Sequence, residues 1–320
     1  MTKHTLLRFV SLIIFTLAFT ALAYAQPQRT FVSAQTGNDA NTVNNCSLNQ
    51  PCRNFNAAVG VVAAGGEVVA LNSGGYGATT ISKAVTLTSP SGVYAAITAL
   101  TAGSSAITVS AAGTDTVVLR GLTLTGLGGA NGLNVTSVGN LHVEGCVISG
   151  FTDDGINVNL TADGSHIFIK DTITRNNGFS GIEIKTSTGT VRASIDNCRS
   201  EGNVSYGFRA EKNSRVTINR SVASGNTVGY GFFAFSNAAG AITELNCEEC
   251  VASNNIYGFG VNATLGGAAT IRVSHSTATN NTSYGFFQVT PGVFESLINN
   301  LVRGNTIGDT QGTITVITAQ

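Results

Sequence analysis

Residues 199–235 read RSEGNVSYGFRAEKNSRVTINRSVASGNTVGYGFFAF, in which a Gly-Asn pair is twice followed by Tyr-Gly-Phe. These motifs belong to two columns that recur every 23 to 29 residues. The glycine column is Gly155, Gly181, Gly207, Gly231, Gly258 and Gly285, and the asparagine column is Asn177, Asn203, Asn226, Asn255, Asn281 and Asn305. Because the glycines and the asparagines recur with nearly the same period, the sequence indicates stacked structural repeats. A single repeat of this length cannot bury its apolar face alone, so neighbouring repeats must pack on one another.

Each repeat alternates apolar and polar residues over short runs, such as residues 182–184 and 216–218. A period of two is typical of strands, and the Gly-Asn and Asn-Asn pairs between the runs favour tight corners. Because matching residues recur in one order and direction, the chain should coil and stack in parallel, and parallel crossovers are right-handed. We therefore predict an all-β fold, a right-handed parallel β-helix or solenoid, with equivalent side chains about 4.8 Å apart.

A third column of small residues supports the same register. It contains Cys146, Thr172, Cys198, Ser221, Cys250, Ser276 and Asn300. Small side chains at a repeated inward position predict a cramped corner of the core. Cys146 and Cys198 fall two coils apart, too far to bond, so we interpret them as buried small hydrophobes.

The chain before the regular repeats is predicted to cover the open end of the solenoid. Apolar residues recur at helical spacing within residues 53–64, and Gly65-Gly66 then stops the helix. A short N-terminal capping helix there would protect the core and the unpaired strand edges. We divide the chain into residues 1–25, a signal peptide, residues 26–66, an N-terminal segment with the cap, and residues 67–320, the β-helix.

The first 25 residues have the pattern of a secretory signal. An apolar stretch follows Lys3 and Arg8 and ends in Ala-Tyr-Ala, which predicts cleavage near Ala25, with an uncleaved anchor as the alternative. No later stretch is apolar for long enough to span a bilayer, and a formal net charge of zero gives no reason to expect nucleic acid. We expect a secreted or otherwise extracytoplasmic protein.

Export permits disulfides, and Cys46 and Cys52 lie in an irregular polar segment where a bond between them is predicted. Cys247 and Cys250 have the spacing of a zinc or redox pair. They fall within the repeat register, however, and no second pair or nearby histidine completes a metal site, so we predict that they are buried.

Several short motifs mark the N-terminal segment. They are Phe31-Val-Ser33, Gly37-Asn-Asp39, Pro51-Cys-Arg53, Ala57-Ala58, Gly65-Gly66 and Ser73-Gly-Gly-Tyr76. Together they resemble the corresponding segment of secreted β-helix proteins of the pectin-lyase-like superfamily, and the later repeats look like that superfamily's generic repeat. The resemblance implies the fold but no single activity, because the same scaffold carries lyases, hydrolases, adhesins and proteins without a known reaction.

Two catalytic arrangements of that superfamily can be compared with this sequence. Polygalacturonase-like hydrolases place paired aspartates before a strand, as at Asp153-Asp154, but their Gly-His-Gly and Arg-x-Lys motifs are absent here. Lyase-like members abstract a proton with Arg or Lys while Asp or Glu residues hold Ca²⁺. A Ca²⁺-assisted lyase acting on acidic polysaccharide would use Asp153, Asp154, Glu183 and Arg209, and a glycoside hydrolase is the less favoured alternative.

The strand after each repeat glycine carries polar and aromatic residues at its outward positions. From these we predict ligand-binding roles for Asn157, Lys185, Glu211, Phe233 and Phe235. A sugar chain could lie along this face, with a phenylalanine stacked on a ring and a cation facing a carboxylate. The alternative interpretation is structural, because the same register pairs Glu183 with Arg209, and Lys185 with Glu211, across neighbouring coils.

The remaining aromatic and titratable residues predict no catalytic cluster. Tyr206, Tyr230, Tyr257 and Tyr284 form a column that we interpret as a stacked ladder, and His142, His166 and His275 occupy different repeat positions. The sequence thus favours an exported, non-catalytic protein that recognises a polysaccharide or a cell-surface partner, or that serves as envelope structure. It requires no cofactor, and Ca²⁺ enters only under the lyase alternative.

Overall fold

The computed structural model describes residues 26–161 and 163–318, and the chain forms the predicted right-handed parallel β-helix. It coils through three parallel sheets that contain 12, 10 and 10 strands. Within these described residues, no helix is long and apolar enough to cross a bilayer. The predicted signal peptide, residues 1–25, lies outside the described residues.

The described residues form 32 strands, which are numbered in chain order and grouped here by sheet. Sheet 1 contains β1 (Arg29–Val32), β2 (Gly66–Ala70), β5 (Val85–Thr88), β8 (Thr116–Arg120), β11 (Asn140–Glu144), β14 (His166–Lys170), β17 (Val191–Asp196), β20 (Ser214–Asn219), β23 (Ile242–Glu248), β26 (Ala268–Ser274), β29 (Val293–Leu297) and β32 (Ile314–Ile317). Sheet 2 contains β3 (Gly74–Gly75), β6 (Ala95–Ala99), β9 (Thr123–Gly126), β12 (Val147–Ser149), β15 (Ile173–Arg175), β18 (Arg199–Glu201), β21 (Val222–Ser224), β24 (Val251–Ser253), β27 (Thr277–Thr279) and β30 (Leu301–Arg303). Sheet 3 contains β4 (Thr79–Ile81), β7 (Ser105–Ser110), β10 (Asn131–Ser137), β13 (Ile156–Leu160), β16 (Ser180–Thr186), β19 (Tyr206–Glu211), β22 (Tyr230–Ser236), β25 (Tyr257–Ala263), β28 (Tyr284–Gln288) and β31 (Gly308–Gln311).

The core consists of apolar columns inside the coil, as the alternation predicted. One column on sheet 3 contains Leu133, Ile156, Ile182, Phe208, Phe232, Phe259 and Phe286, all buried and in register. The Phe232 ring stacks on Phe208 and Phe259 at centroid distances of 5.0 and 4.8 Å. Because burying one such side chain contributes about 1.5–3 kcal/mol, a slip of one residue would expose the whole column and is strongly disfavoured.

The asparagine column forms a buried ladder at the corner between sheets 2 and 3. Asn177 Nδ2 donates to Asn203 Oδ1 at 2.9 Å, and Asn203 Nδ2 donates to Asn226 Oδ1 at 3.3 Å. The same Oδ1 atoms accept hydrogen bonds from the backbone N–H groups of Asn177 and Asn203, both at 3.1 Å. Each asparagine therefore satisfies polar groups of the preceding coil that would otherwise be buried without partners.

The column of small residues forms a second ladder, at the corner between sheets 1 and 2. The backbone N–H of Cys198 donates to Ser221 Oγ at 3.1 Å, and that of Cys146 lies 3.4 Å from Thr172 Oγ1. Burial raises the pKa of the Cys146 thiol to about 11 and that of Cys198 to about 12, so both stay protonated. Cys146, Cys198, Cys247 and Cys250 are all buried and free.

The N-terminal segment covers the first coil with one short helix, α1 (Phe55–Val61). The helix is shorter than the predicted residues 53–64, and it packs Phe55, Ala58 and Val59 against β1, β2 and β4. A 3-10 helix spans Asp39–Asn44 just before the predicted disulfide between Cys46 and Cys52. That disulfide is present, with Cα atoms 4.9 Å apart.

Candidate functional site

The predicted ligand-binding residues lie together on the outer face of sheet 3. Parallel register places Asn157 beside Glu183, Glu183 beside Arg209, and Arg209 beside Phe233. Their exposure is lower than an outward position suggests, because Glu183, Glu211 and Phe233 are only 1 %, 5 % and 4 % exposed. Most of the predicted contact surface is therefore covered by neighbouring side chains.

An ion-pair network holds the charged residues of this face. Arg209 Nη1 lies 3.0 Å from Glu183 Oε1, and Arg209 Nη2 lies 2.7 Å from Glu211 Oε2. Lys185 Nζ lies 2.5 Å from Glu183 Oε2, within its own strand, so the expected pairing of Lys185 with Glu211 is wrong. The reason is that Arg209 reaches both acids and takes Glu211 itself. Glu183 Oε1 and Arg209 Nε have no well-aligned hydrogen-bond partner within the described residues.

Aromatic rings enclose the network. The Arg209 guanidinium lies 4.9 Å from the centroid of Tyr206 and 5.4 Å from that of Phe235. Phe233 stacks on Tyr230 at 4.2 Å, and Tyr230 stacks on Tyr206 at 6.1 Å and on Tyr257 at 4.6 Å, so the predicted ladder is present for these three tyrosines. Tyr284 instead packs at a tilt against Phe287. Rings stacked along the solenoid axis cover one another's faces, so this part of sheet 3 offers a ligand mainly ring edges.

The paired aspartates lie at the edge of the same face. Asp154 is 2 % exposed, and its Oδ1 accepts a hydrogen bond from the Ser180 backbone N–H at 2.9 Å. Burial, together with the nearby Glu183 and Asp153 carboxylates, raises the pKa of Asp154 to about 8. Burial also raises the pKa of Asp153, and Glu183 adds to that shift. Asp154 therefore keeps its proton to a higher pH than an exposed aspartate does.

The raised pKa of Asp154 predicts a pH-dependent stability. An unfolded aspartate titrates near pH 3.9, so between about pH 4 and 8 the folded state holds the extra proton and the free energy of unfolding falls as pH rises, by up to about 1.4 kcal/mol per pH unit. Asp154→Asn keeps the acceptor for Ser180 and cannot ionise. We expect this variant to match the wild type at pH 4 and to exceed its stability at pH 9, as measured by urea unfolding across that range.

Asp153→Asn is the control for that experiment, because Asp153 is less buried and should change the pH dependence less. Equal pH slopes for Asp154→Asn and the wild type would show that Asp154 is ionised in the folded protein at neutral pH.

A separate cavity of about 280 Å³ lies on the outer face of sheet 1. We call it the sheet 1 slot, and its lining includes Phe168, Arg192, Ser194, Arg215, Thr217 and Asn246. Register stacks Phe168, Ser194, Thr217 and Asn246 on the successive strands β14, β17, β20 and β23. Because serine and threonine are small, the surface is recessed over two coils, with Phe168 at one end and Asn246 at the other.

Phe168 presents one ring face to the slot. Phe168 is 38 % exposed, and His142 of the preceding coil stacks on its ring at 4.8 Å with an interplanar angle of 18°. His166 lies beside it, nearly parallel, at 6.4 Å. Because His142 covers the face toward β11, the opposite face points toward Ser194 and the slot. Here an aromatic face is available for contact, in contrast to the stacked rings of sheet 3.

Polar groups complete the slot. Ser194 and Thr217 place exposed hydroxyl-bearing side chains on its floor. At the far end, Arg272 Nη1 donates to Asn246 Oδ1 at 3.3 Å, and Asn246 contributes its amide to the lining of the slot. An aromatic face, two hydroxyls and an amide are the groups that carbohydrate sites combine, since a sugar ring has both apolar and hydroxyl-bearing surfaces.

Residues 84–247 and, overlapping them, 131–307 match the family described as "Right handed beta helix region". The chain belongs to the right-handed β-helix family. No curated protein matches this β-helix protein.

Among solved structures, the β-helix protein is similar to one titled "Crystal structure of pectate lyase Pel9A". The TM-score is 0.64 at 17 % sequence identity, and the match covers 89 % of this chain and 78 % of that chain. A likeness at this identity shows the fold alone.

The catalytic roles of Asp153, Asp154, Glu183 and Arg209 in the lyase hypothesis stay predictions. Within residues 26–161 and 163–318, no three His, Cys, Asp or Glu side chains are arranged to hold a metal ion. Arg209 is 11 % exposed at its side chain, and its two Nη atoms contact the carboxylates of Glu183 and Glu211, so neither faces an open surface where a substrate could bind. This geometry of the β-helix protein favours a structural role for Arg209.

The sheet 1 slot is absent from the predictions made from the sequence, although the residue pattern of sheet 1 indicates it. Within β14, β17 and β20 the outward positions follow from alternation, and reading them across coils gives His142, Phe168, Ser194, Thr217 and Asn246. A large aromatic residue followed by two small hydroxyl residues predicts a recess. His142 and His166 occupy different repeat positions, and for that reason the sequence predicts no histidine cluster, yet both rings lie beside Phe168.

Proposed function

We propose that this β-helix protein is exported and binds a polysaccharide without cleaving it, with one sugar ring held in the sheet 1 slot. The observation that supports this most is the open face of Phe168 above Ser194 and Thr217. The slot volume of about 280 Å³ accommodates one monosaccharide unit. Because the outer face of sheet 1 continues on either side of the slot, further units of a linear chain have room to extend along it.

Export is supported by two features of the N-terminal region. The disulfide between Cys46 and Cys52 fits an oxidising compartment, since such bonds are rare in a reducing cytosol. Residues 1–25 have the composition of a cleaved signal.

Phe168→Ala is expected to weaken glycan binding by up to about tenfold, because it removes the stacking surface, and one such contact is worth about 0.5–1.5 kcal/mol. Fold stability should change little, since Phe168 lies outside the core. The measurement is a glycan-array screen with the secreted protein, followed by titration of the strongest hit with wild type and variant.

Phe235→Ala is the matched control, because Phe235 belongs to the sheet 3 face that the sequence predicted to bind. A loss of affinity in Phe235→Ala, with Phe168→Ala unchanged, would move the binding site to sheet 3. Absence of binding to every glycan on the array would overturn the proposed function.

The lyase alternative makes a different prediction for the same preparation. Incubation with pectate, alginate or glycosaminoglycans and Ca²⁺ would release unsaturated products that absorb ultraviolet light. The proposed function predicts a flat absorbance trace with all three polymers. A rising trace that Arg209→Gln abolishes would establish catalysis on sheet 3.

A further inference from the structure

Two arginines stand side by side at the sheet 1 slot. Arg192 of β17 pairs in register with Arg215 of β20, and both side chains are exposed. Adjacent parallel strands lie about 4.8 Å apart, so two positive charges occupy neighbouring positions on one face. Like charges placed directly opposite each other destabilise a sheet.

Neither guanidinium has an acidic partner among the described residues. Seven other arginines each contact a carboxylate: Arg29, Arg120, Arg199, Arg209, Arg220, Arg272 and Arg303. Glu244 follows Arg215 in the register, but its ion-pair contact is with Arg272, at 4.0 Å. The pair therefore forms a local excess of positive charge, and His166 lies next to it in the same column.

We propose that Arg192 and Arg215 together bind a tetrahedral oxyanion ester, a sulfate or phosphate group, carried by the polysaccharide whose sugar ring occupies the slot. The inference rests on the proposed function and names the class of polysaccharide. A tetrahedral ester has three terminal oxygens that point in different directions, so each guanidinium can donate to its own oxygen. An anion bound between the two arginines also offsets the repulsion between the guanidinium groups of Arg192 and Arg215 in the unliganded protein.

The position of the pair fits a substituent on a bound ring. Arg192 and Ser194 are two residues apart on one strand, so both point outward, and Arg215 and Thr217 repeat the relation on the next strand. The arginines therefore flank the recess along its length, while Phe168 closes one end. A ring stacked on Phe168 would direct an equatorial ester toward the guanidinium groups.

The test uses polymers that share one backbone: dextran, dextran sulfate, dextran phosphate and carboxymethyl dextran at matched degrees of substitution. We expect dextran sulfate or dextran phosphate to bind about tenfold more tightly than carboxymethyl dextran, because the three terminal oxygens of the ester can accept from both guanidinium groups at once, whereas a carboxylate has two oxygens in one plane and is satisfied by one guanidinium. The double variant Arg192→Gln/Arg215→Gln should lose that preference. Arg175→Gln, an exposed arginine of sheet 2, should retain it and so controls for general charge attraction.

The outcomes separate this inference from the proposed function. Equal affinity for carboxymethyl and sulfated dextran, or an unchanged preference in the double variant, would overturn the inference. If Phe168→Ala still weakened binding to glycans of the array in that case, the proposed function would stand without it. Loss of the preference for the ester polymers over carboxymethyl dextran in the double variant would support the inference. The affinities of the wild type for dextran sulfate and dextran phosphate would then show which ester it binds.

Discussion

Gly258→Ala is expected to destabilise the protein by about 3 kcal/mol, the upper end of the cost of forcing an extra methyl group into a packed site. A Cβ at Gly258 would lie 2.4 Å from the carbonyl oxygen of Gly285 and 3.2 Å from the Ala278 Cβ. Backbone atoms cannot move aside without disturbing the next coil. Urea unfolding followed by circular dichroism measures the change.

Gly113→Ala is the matched control, because a Cβ there meets no atom within 4 Å. We expect this variant to unfold at the wild-type urea concentration. Equal stability of both variants would mean that the coils do not approach as closely at the glycine column as the structure shows.

Asn255→Ala should also cost several kcal/mol, in this case through lost hydrogen bonds. Asn255 Oδ1 accepts from Asn226 Nδ2 at 2.8 Å and from the Asn226 backbone N–H at 3.0 Å, and Asn255 Nδ2 donates to the Ala223 carbonyl oxygen at 3.0 Å. The substitution leaves these buried groups without partners, and each unsatisfied group costs about 1–3 kcal/mol. We expect the urea midpoint to fall.

Asn159→Ala provides the comparison, since Asn159 is exposed on the outer face of β13 and outside the ladder. The free energy of unfolding of Asn159→Ala should stay within about 0.5 kcal/mol of the wild-type value. A similarly small effect for Asn255→Ala would show that water replaces the ladder, and the asparagine column would then need another explanation.

The contacts that these two substitutions would disrupt also explain why the fold could be predicted from the sequence. The glycines of the column do not have left-handed backbone angles; they recur because each lies against the carbonyl oxygen of the next coil, as Gly258 does against Gly285. The asparagines recur because each side chain accepts hydrogen bonds from buried N–H groups of the asparagine one coil before it. Requirements that repeat in every coil leave a periodic pattern, and that pattern set the register, the inward positions and the stacking.

The candidate site was harder to predict because it depends on differences between coils. Alternation showed that Phe233 and Phe168 both point outward, but not that Phe233 would be covered by Tyr230 while Phe168 would face an open recess. Coverage depends on rotamers and on the size of residues one coil away. Arg209 likewise had two acids within reach, and only three-dimensional geometry shows that it contacts both.

A crystal structure of the protein with its bound glycan tests the account most directly. We predict a sugar ring stacked on the open face of Phe168, above Ser194 and Thr217. Glycan density over Phe233 and Phe235, with the sheet 1 slot empty, would contradict the account.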